Sequence, residues 1–251
     1  MKFLVFLIFG AAFCISTAAQ TMTDREFDGL KGKVKAVKTY DADFELKNGK
    51  AGQGVQKLTF GSEYDESGNV TQTSNYMIGS RSIYSFIDGD KTSRYERFEV
   101  PGGGFFSAAP KKLEKPGDRD SRYTTKYKYE YDKRGRIIVE KRYGNDKVLH
   151  SNWAYRYDNK GRLVEEITYD DGKSITRREI STFDAADNII ERKFIPVSKI
   201  AGDSETIHLF KNYKFDNQGN WTQRHQTTIY FRDGSERRLE SILIREIIYF
   251  N

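Results

Sequence analysis

Residues that could do chemistry are sparse in this chain. Its three histidines, His150, His208 and His225, fall in no His-Glu-x-x-His or other zinc spacing, and His150 and His208 lie in strand-like stretches among polar neighbours. The Gly102–Gly104 run lacks the Lys-Ser/Thr of a phosphate loop. Asp88-Gly89-Asp90 begins like a calcium loop, but no acidic residue follows at the required spacing. Glu165 and Glu166 are adjacent on a strand and point to opposite faces, so they make poor acid/base partners. A serine nucleophile would need a histidine and an acid brought together by folding. The expectation is a non-enzymatic protein with no catalytic residue, no metal and no cofactor; a hydrolase assembled across strands is the alternative from another class.

The aromatics are the more informative group, with 16 Tyr and two Trp. Trp153, Trp221, Tyr155 and Tyr129 offer flat apolar faces with polar edges, suited to stacking on sugar rings. The competing reading is that they cover the sheet, since aromatic cross-strand pairs each contribute roughly 0.2–1 kcal/mol. Both stay open at this level.

Elements to position these residues are announced by a repeated turn. YDESGNV (64–70), YDKRGRI (131–137), YDNKGRL (157–163), FDAADNI (183–189) and FDNQGNW (215–221) share one layout, spaced 26, 26 and 32 residues through the last four. Asp65, Asp132, Asp158, Asp184 and Asp216 are expected to accept hydrogen bonds from N–H groups two and three residues ahead and so fix a type I turn. Gly68, Gly135, Gly161 and Gly219 then supply a left-handed residue, with Asp187 doing so less favourably. A second set of turns, at YGND (143–146), YDDG (169–172) and FRDG (231–234), carries hairpin signals.

Each 26-residue unit therefore holds two strands of roughly nine residues with a turn at each end. In YTTKYKYEYD, Tyr123, Thr125, Tyr127, Tyr129 and Tyr131 share a face against Lys126, Lys128 and Glu130; in LHSNWAYRYD, Leu149, Ser151, Trp153, Tyr155 and Tyr157 do likewise. The fold class is all-β, an antiparallel meander forming one long curled sheet or an open barrel-like roll, with helix scarce.

Organisation follows from composition. Residues 1–19 read as a signal peptide, with Lys2, an apolar run and small residues before Gln20; Cys14, the one cysteine, lies within it, with a lipidated cysteine or an uncleaved anchor as the other readings. Residues 20–100 form an N-terminal β segment with strands near 30–44, 54–64, 70–78, 81–87 and 92–99. The Pro/Gly-rich stretch 101–120 is a long loop in which Phe105 and Phe106 could cap the core. Residues 121–251 are the repeat segment, expected to continue the same sheet. The chain carries 42 Lys and Arg against 36 Asp and Glu, net +6, but the signs alternate along strands. That pattern suits solvated faces and not the one-signed stripe of a nucleic-acid binder. Charged residues on both strand faces also fit poorly with strands that span a membrane.

The Tyr-x-Tyr-Asp-x-x-Gly-Arg pattern at 127–137 and 155–163, more weakly at 183–189 and 215–221, and faintly at 60–70, resembles the YD repeat of Rhs and teneurin-type proteins. The resemblance covers about half of the chain. It implies a long antiparallel sheet that spirals or curls, which in large members forms a shell around a toxin; this chain is short and has few repeats. The resemblance also gives a weak pointer to carbohydrate. Because the motif is a turn, it carries no catalytic residues over. The expected protein is an exported YD-repeat β protein, structural or binding, secreted or periplasmic, with carbohydrate or another envelope protein as partner.

Overall fold

The structure, a computed structural model, describes residues 21–47, 50–87, 90–97, 124–144, 147–170, 173–197, 204–232 and 235–251. The expected signal peptide with Cys14, the 101–120 loop with Phe105 and Phe106, residues Asp88 and Gly102–Gly104, and the tips of the second set of turns lie outside these residues. One short helix, α1 (Asp24–Phe27), precedes fourteen strands: β1 (Val34–Lys47), β2 (Lys50–Tyr64), β3 (Val70–Asn75), β4 (Ser80–Ile87), β5 (Asp90–Arg97), β6 (Thr124–Tyr131), β7 (Ile137–Tyr143), β8 (Leu149–Tyr157), β9 (Leu163–Asp170), β10 (Ser174–Phe183), β11 (Ile189–Pro196), β12 (Thr206–Phe215), β13 (Trp221–Arg232) and β14 (Ser235–Tyr249).

Every strand pairs antiparallel with the next in sequence, including β5 with β6, and β14 pairs with β1. The sheet that the repeats predict is thus a closed barrel, which removes the exposed edges an open roll would keep. The YD-type turns join β2/β3, β6/β7, β8/β9, β10/β11 and β12/β13. In an up-and-down barrel these even-to-odd connections all fall at one end, together with the start of β1 and the finish of β14.

The turns are built differently in one respect from the expectation. Asp132 Oδ1 accepts from the N–H of Arg134 at 2.8 Å and of Arg136 at 3.0 Å, which are two and four residues ahead. The third N–H, that of Gly135, instead donates to the Asp132 carbonyl at 3.0 Å. Gly135 adopts φ 75° and Gly161 φ 89°, and Asp187 takes the same left-handed conformation at φ 65°. In four of the five turns the residue after the left-handed position returns to the other carboxylate oxygen: Asn69 Nδ2 to Asp65 Oδ2 at 3.1 Å, Arg136 Nε to Asp132 Oδ2 at 2.7 Å, Arg162 Nε to Asp158 Oδ2 at 2.7 Å, and Asn188 Nδ2 to Asp184 Oδ2 at 3.0 Å; in the fifth, Asn220 turns to the Lys31 carbonyl and the Tyr249 hydroxyl. That clamp explains why the position is Arg or Asn.

The same arginines staple neighbouring repeats. Arg136 lies over the Tyr157 ring at 4.4 Å and Arg162 over the Phe183 ring at 4.7 Å, each the aromatic that opens the following turn. Tyr157 donates to the Ile137 carbonyl at 2.8 Å and Tyr213 to that of Ile189 at 2.5 Å, continuing the chain of contacts. Recurrence of Tyr-Asp-x-x-Gly-Arg is therefore a requirement of adjacency: each turn supplies the platform for the one before it.

The remaining core gathers at the turn end, where Leu30, Val34, Val37, Tyr64 and Val70 form one buried cluster with Tyr84, Ile247 and Tyr249 packed against it. No helix of the described residues is long and apolar enough to cross a membrane as a helix.

Candidate functional site

The candidate site is the barrel lumen, and its floor is the segment 21–31. Thr23 caps α1 and forms a reciprocal capping box with Glu26, which lets so short a helix persist. From there the segment is tied to strands around the ring. Met22 N–H donates to the Gly135 carbonyl at 2.8 Å, and Arg25 N–H to that of Gly68 at 2.9 Å. Val70 N–H donates to Asp24 Oδ2 at 2.9 Å, and Lys91 Nζ to Asp24 Oδ1 at 2.6 Å. Phe27 meets Tyr155 edge-on at 5.0 Å. Tyr64 donates to the Asp28 carboxylate, and Lys31 exchanges backbone hydrogen bonds with the Asn220 side chain at 2.7 and 2.9 Å. One segment touching β2/β3, β5, β6/β7, β8 and β12/β13 must cross the mouth, so it closes the turn end. Glycine helps here as well: a Cβ on Gly68 would sit 3.0 Å from Thr23 Oγ1.

Contact with this floor fixes which strand face is inward. Tyr155 touches Phe27, and its register partners across the ladder are Glu166, then Glu179, then Phe194. Two residues back, Trp153 stands opposite Glu140, which stands opposite Tyr129. These residues line the lumen, while Lys126, Lys128 and Glu130 alternate to the outer wall. Glu165 and Glu166 separate as expected: Glu165 faces out between Arg156 at 3.0 Å and Arg178 at 2.7 Å, and Glu166 faces in.

The interior is hollow and polar. Asp28 is enclosed by the wall, yet its surface is exposed to the cavity. Enclosure raises its carboxyl pKa, and the Tyr64 hydrogen bond opposes that rise. A cavity of about 270 Å³ lies beside the floor, lined among others by Phe27, Asp28, Glu166, Glu179 and Arg192. Burial, with Glu179 beside it, pushes the Glu166 carboxyl up. Among the described residues no group of His, Cys, Asp and Glu is arranged to hold a metal.

The lumen has two electrostatic regions. Along β5 to β10 the charges are matched. Lys91 pairs with Asp24 and sits over the Tyr84 ring at 4.9 Å; Arg142 pairs with Glu140 at 2.5 Å; Arg177 lies 3.8 Å from Glu166. Along β11 to β14 positive charge dominates, with Arg192, Arg224 and Arg245 facing in. Arg192 lies 3.0 Å from a Glu179 oxygen, whereas Arg224 and Arg245 pair with no carboxylate among the described residues.

All four residues singled out for sugar stacking lie in this lumen and none is on the outer wall. Tyr129 and Tyr155 have hydroxyl pKa values raised first by burial and then by Glu140. Trp153 carries the Arg142 guanidinium at 3.7 Å from its ring centre; Trp221 carries Arg224 at 4.2 Å and Arg245 at 3.8 Å. Of the histidines, His208 is half-buried against Phe194 at 5.2 Å and bonds to Thr228 at 2.9 Å, and His225 lies 5.9 Å from Phe44. Sequence reasoning missed the floor, although Thr23-x-x-Glu26 is a capping-box signature. It also missed the inward arginines, because on a strand they read like any solvated charge.

No protein-family model matches the chain, and no curated protein matches it. Among solved structures it is similar to a porin-like protein from Bacteroides uniformis, at 11% identity over 86% of this chain and 96% of that one, with a TM-score of 0.47. It is also similar to a putative outer membrane lipoprotein-sorting protein domain from Vibrio parahaemolyticus, at 11% identity over 86% of each chain, with a TM-score of 0.30. Neither likeness enters the functional reading.

Proposed function

We propose that this chain is an exported, non-enzymatic β-barrel of the YD-repeat type, acting as a binding module in the periplasm or at the cell surface and taking its ligand into the lumen. The observation that carries this reading is the closed floor: Met22–Lys31 blocks one end of a barrel whose inner wall is aromatic and charged. A tube open at both ends would suit passage; a cup suits retention. The clamp-and-staple turns support the YD-repeat assignment, since they give each position of the motif a mechanical role.

Hydrolysis by a histidine and acid is disfavoured by the surroundings of His208. Its partners are Thr228 and Gln226, and the charges that perturb it are Arg192 and Arg224. Carbohydrate remains the second reading for the ligand, because Tyr129, Trp153 and Tyr155 share one stretch of inner wall; Arg142 already covers part of Trp153.

Both tryptophans report on the lumen, so intrinsic fluorescence tests the reading. Titrating the exported chain with a panel of neutral oligosaccharides, sugar acids and inorganic anions should give a saturable change with at least one member. Absence of any saturable change across the panel, together with no retention on polysaccharide resins, overturns lumenal binding.

A further inference from the structure

We propose that the inner wall formed by β11 to β14 is an oxyanion-binding site, in which Arg192, Arg224 and Arg245 present guanidinium edges to a small solute bearing a carboxylate or phosphate group. This rests on the lumenal-binding reading and names the ligand class.

The three arginines occupy β11, β13 and β14, which with β12 form one continuous stretch of sheet. Each of Arg224 and Arg245 feels the charge of Arg192, and Arg245 also feels that of Arg224, so they share one electrostatic neighbourhood. Compensation of Arg224 and Arg245 is poor. Arg224 donates only to the Tyr213 hydroxyl at 3.3 Å, and Arg245 makes no hydrogen bond among the described residues. The Nε groups of Arg224 and Arg245 are buried without an acceptor, whereas that of Arg192 is ion-paired to Glu179 Oε1 at 3.0 Å. Asp28 is a carboxylate whose charge reaches Arg245, and it is already engaged by Tyr64. Uncompensated guanidinium in an enclosed wall is costly, and an incoming anion removes that cost.

The groups are also held ready. Arg224 lies over Phe210 at 3.9 Å and over Trp221 at 4.2 Å; Arg245 lies over Trp221 at 3.8 Å. These ring contacts hold the guanidinium groups in place and leave most of their N–H groups without partners, an arrangement that suits two-point donation to an oxyanion. Both residues keep partial exposure on the inward side of the sheet. Burial and the adjacent arginines hold His208 neutral, so it adds a hydrogen-bonding group and no competing charge.

In a Trp153→Phe background Trp221 is the sole tryptophan and sits under two of the arginines. Phosphate, sulfate, galacturonate and glucose are titrated at constant ionic strength set with sodium chloride. Saturable change with phosphate or galacturonate is expected, weakened at least tenfold by Arg224→Gln and Arg245→Gln and unchanged by Lys126→Gln on the outer wall. Stronger binding of galacturonate assigns a carboxylate-bearing ligand, and stronger binding of phosphate a phosphoester. Equal responses in the arginine variants, or none beyond the chloride control, overturn the proposal; if glucose alone saturates, lumenal binding stands and the anion assignment fails. Ligand-free Arg245→Gln should melt no lower than the parent, because it removes an unpaired charge; a melt lower by several degrees assigns a structural cation and overturns the proposal. Should that variant not fold, Arg224→Lys keeps the charge and loses the fork, and several-fold weaker oxyanion binding is expected; unchanged binding overturns the proposal.

Discussion

The Lys91 ammonium lies 2.6 Å from the Asp24 carboxylate, joining the floor to the wall of β5 in a nearly enclosed setting where Lys91 is 7% exposed. Asp24 also accepts from Val70 N–H, so one carboxylate serves two strands. Asp24→Ala leaves the lysine unpaired inside the barrel and should cost about 3–5 kcal/mol. Lys91→Met keeps the stem against Tyr84 and Tyr127 and removes the charge, and it should cost distinctly less. Urea denaturation of both variants checks the order; equal losses would mean the pair contributes no more than its packing.

Left-handed turn positions give an asymmetric pair of substitutions. Gly161 sits at φ 89°, and Ala there should cost about 1–2 kcal/mol. Asp187 occupies the equivalent place at φ 65° and accepts from Arg162 at 2.7 Å. Asp187→Gly should change stability by less than about 0.5 kcal/mol, since relieved strain and added chain entropy nearly offset each other. Thermal melts of the two variants measure the contrast.

Acid should loosen the turn end. The Arg136 hydrogen bond holds the Asp132 carboxyl below its ordinary range, and the Asn188 side chain does the same for Asp184. With folded values depressed, the unfolded chain takes up protons first as pH falls. The contribution is complete above the ordinary carboxylate range and is lost below about pH 4. Asp132→Asn should flatten the acid limb of a plot of melting temperature against pH, and an unchanged limb would remove the clamp from the stability account.

His208 acts at higher pH. Burial, then Arg192 and Arg224, push its pKa down, so between about 6.5 and its folded value the unfolded chain is protonated and the native one is not. Stability should fall as pH drops through that window. His208→Gln should remove the slope, read from denaturation midpoints at pH 7.5 and pH 5.5.

Much of this architecture is legible in the chain. Alternation in 124–131 and 149–157 sorts inner from outer residues, and the Asp-x-x-Gly spacing, with Asp187 in the glycine place once, marks five reversals that do join neighbouring strands. Closure is not legible, because pairing of β1 with β14 depends on the summed curvature of fourteen strands and on no local signal. The positive inner wall is equally hidden. Arg224 and Arg245 sit in strands as ordinary alternating charges, and only the ring geometry shows that their side of the sheet faces inward. Likewise the aromatics do face a cavity, but with guanidinium groups already laid on both tryptophans.

The seam between the first and last strands bears on how the molecule comes into being. As the polypeptide is synthesised, Val34–Lys47 has one bare edge until Ser235–Tyr249 arrives, so the contact of greatest sequence separation must form last and slowly. Once sealed, the ring has no natural starting point: Phe250 N–H already bonds the Lys33 carbonyl at 2.9 Å. A permuted gene that leads from Phe250 through the floor segment into Lys33 and opens the circle at another turn should encode the same barrel.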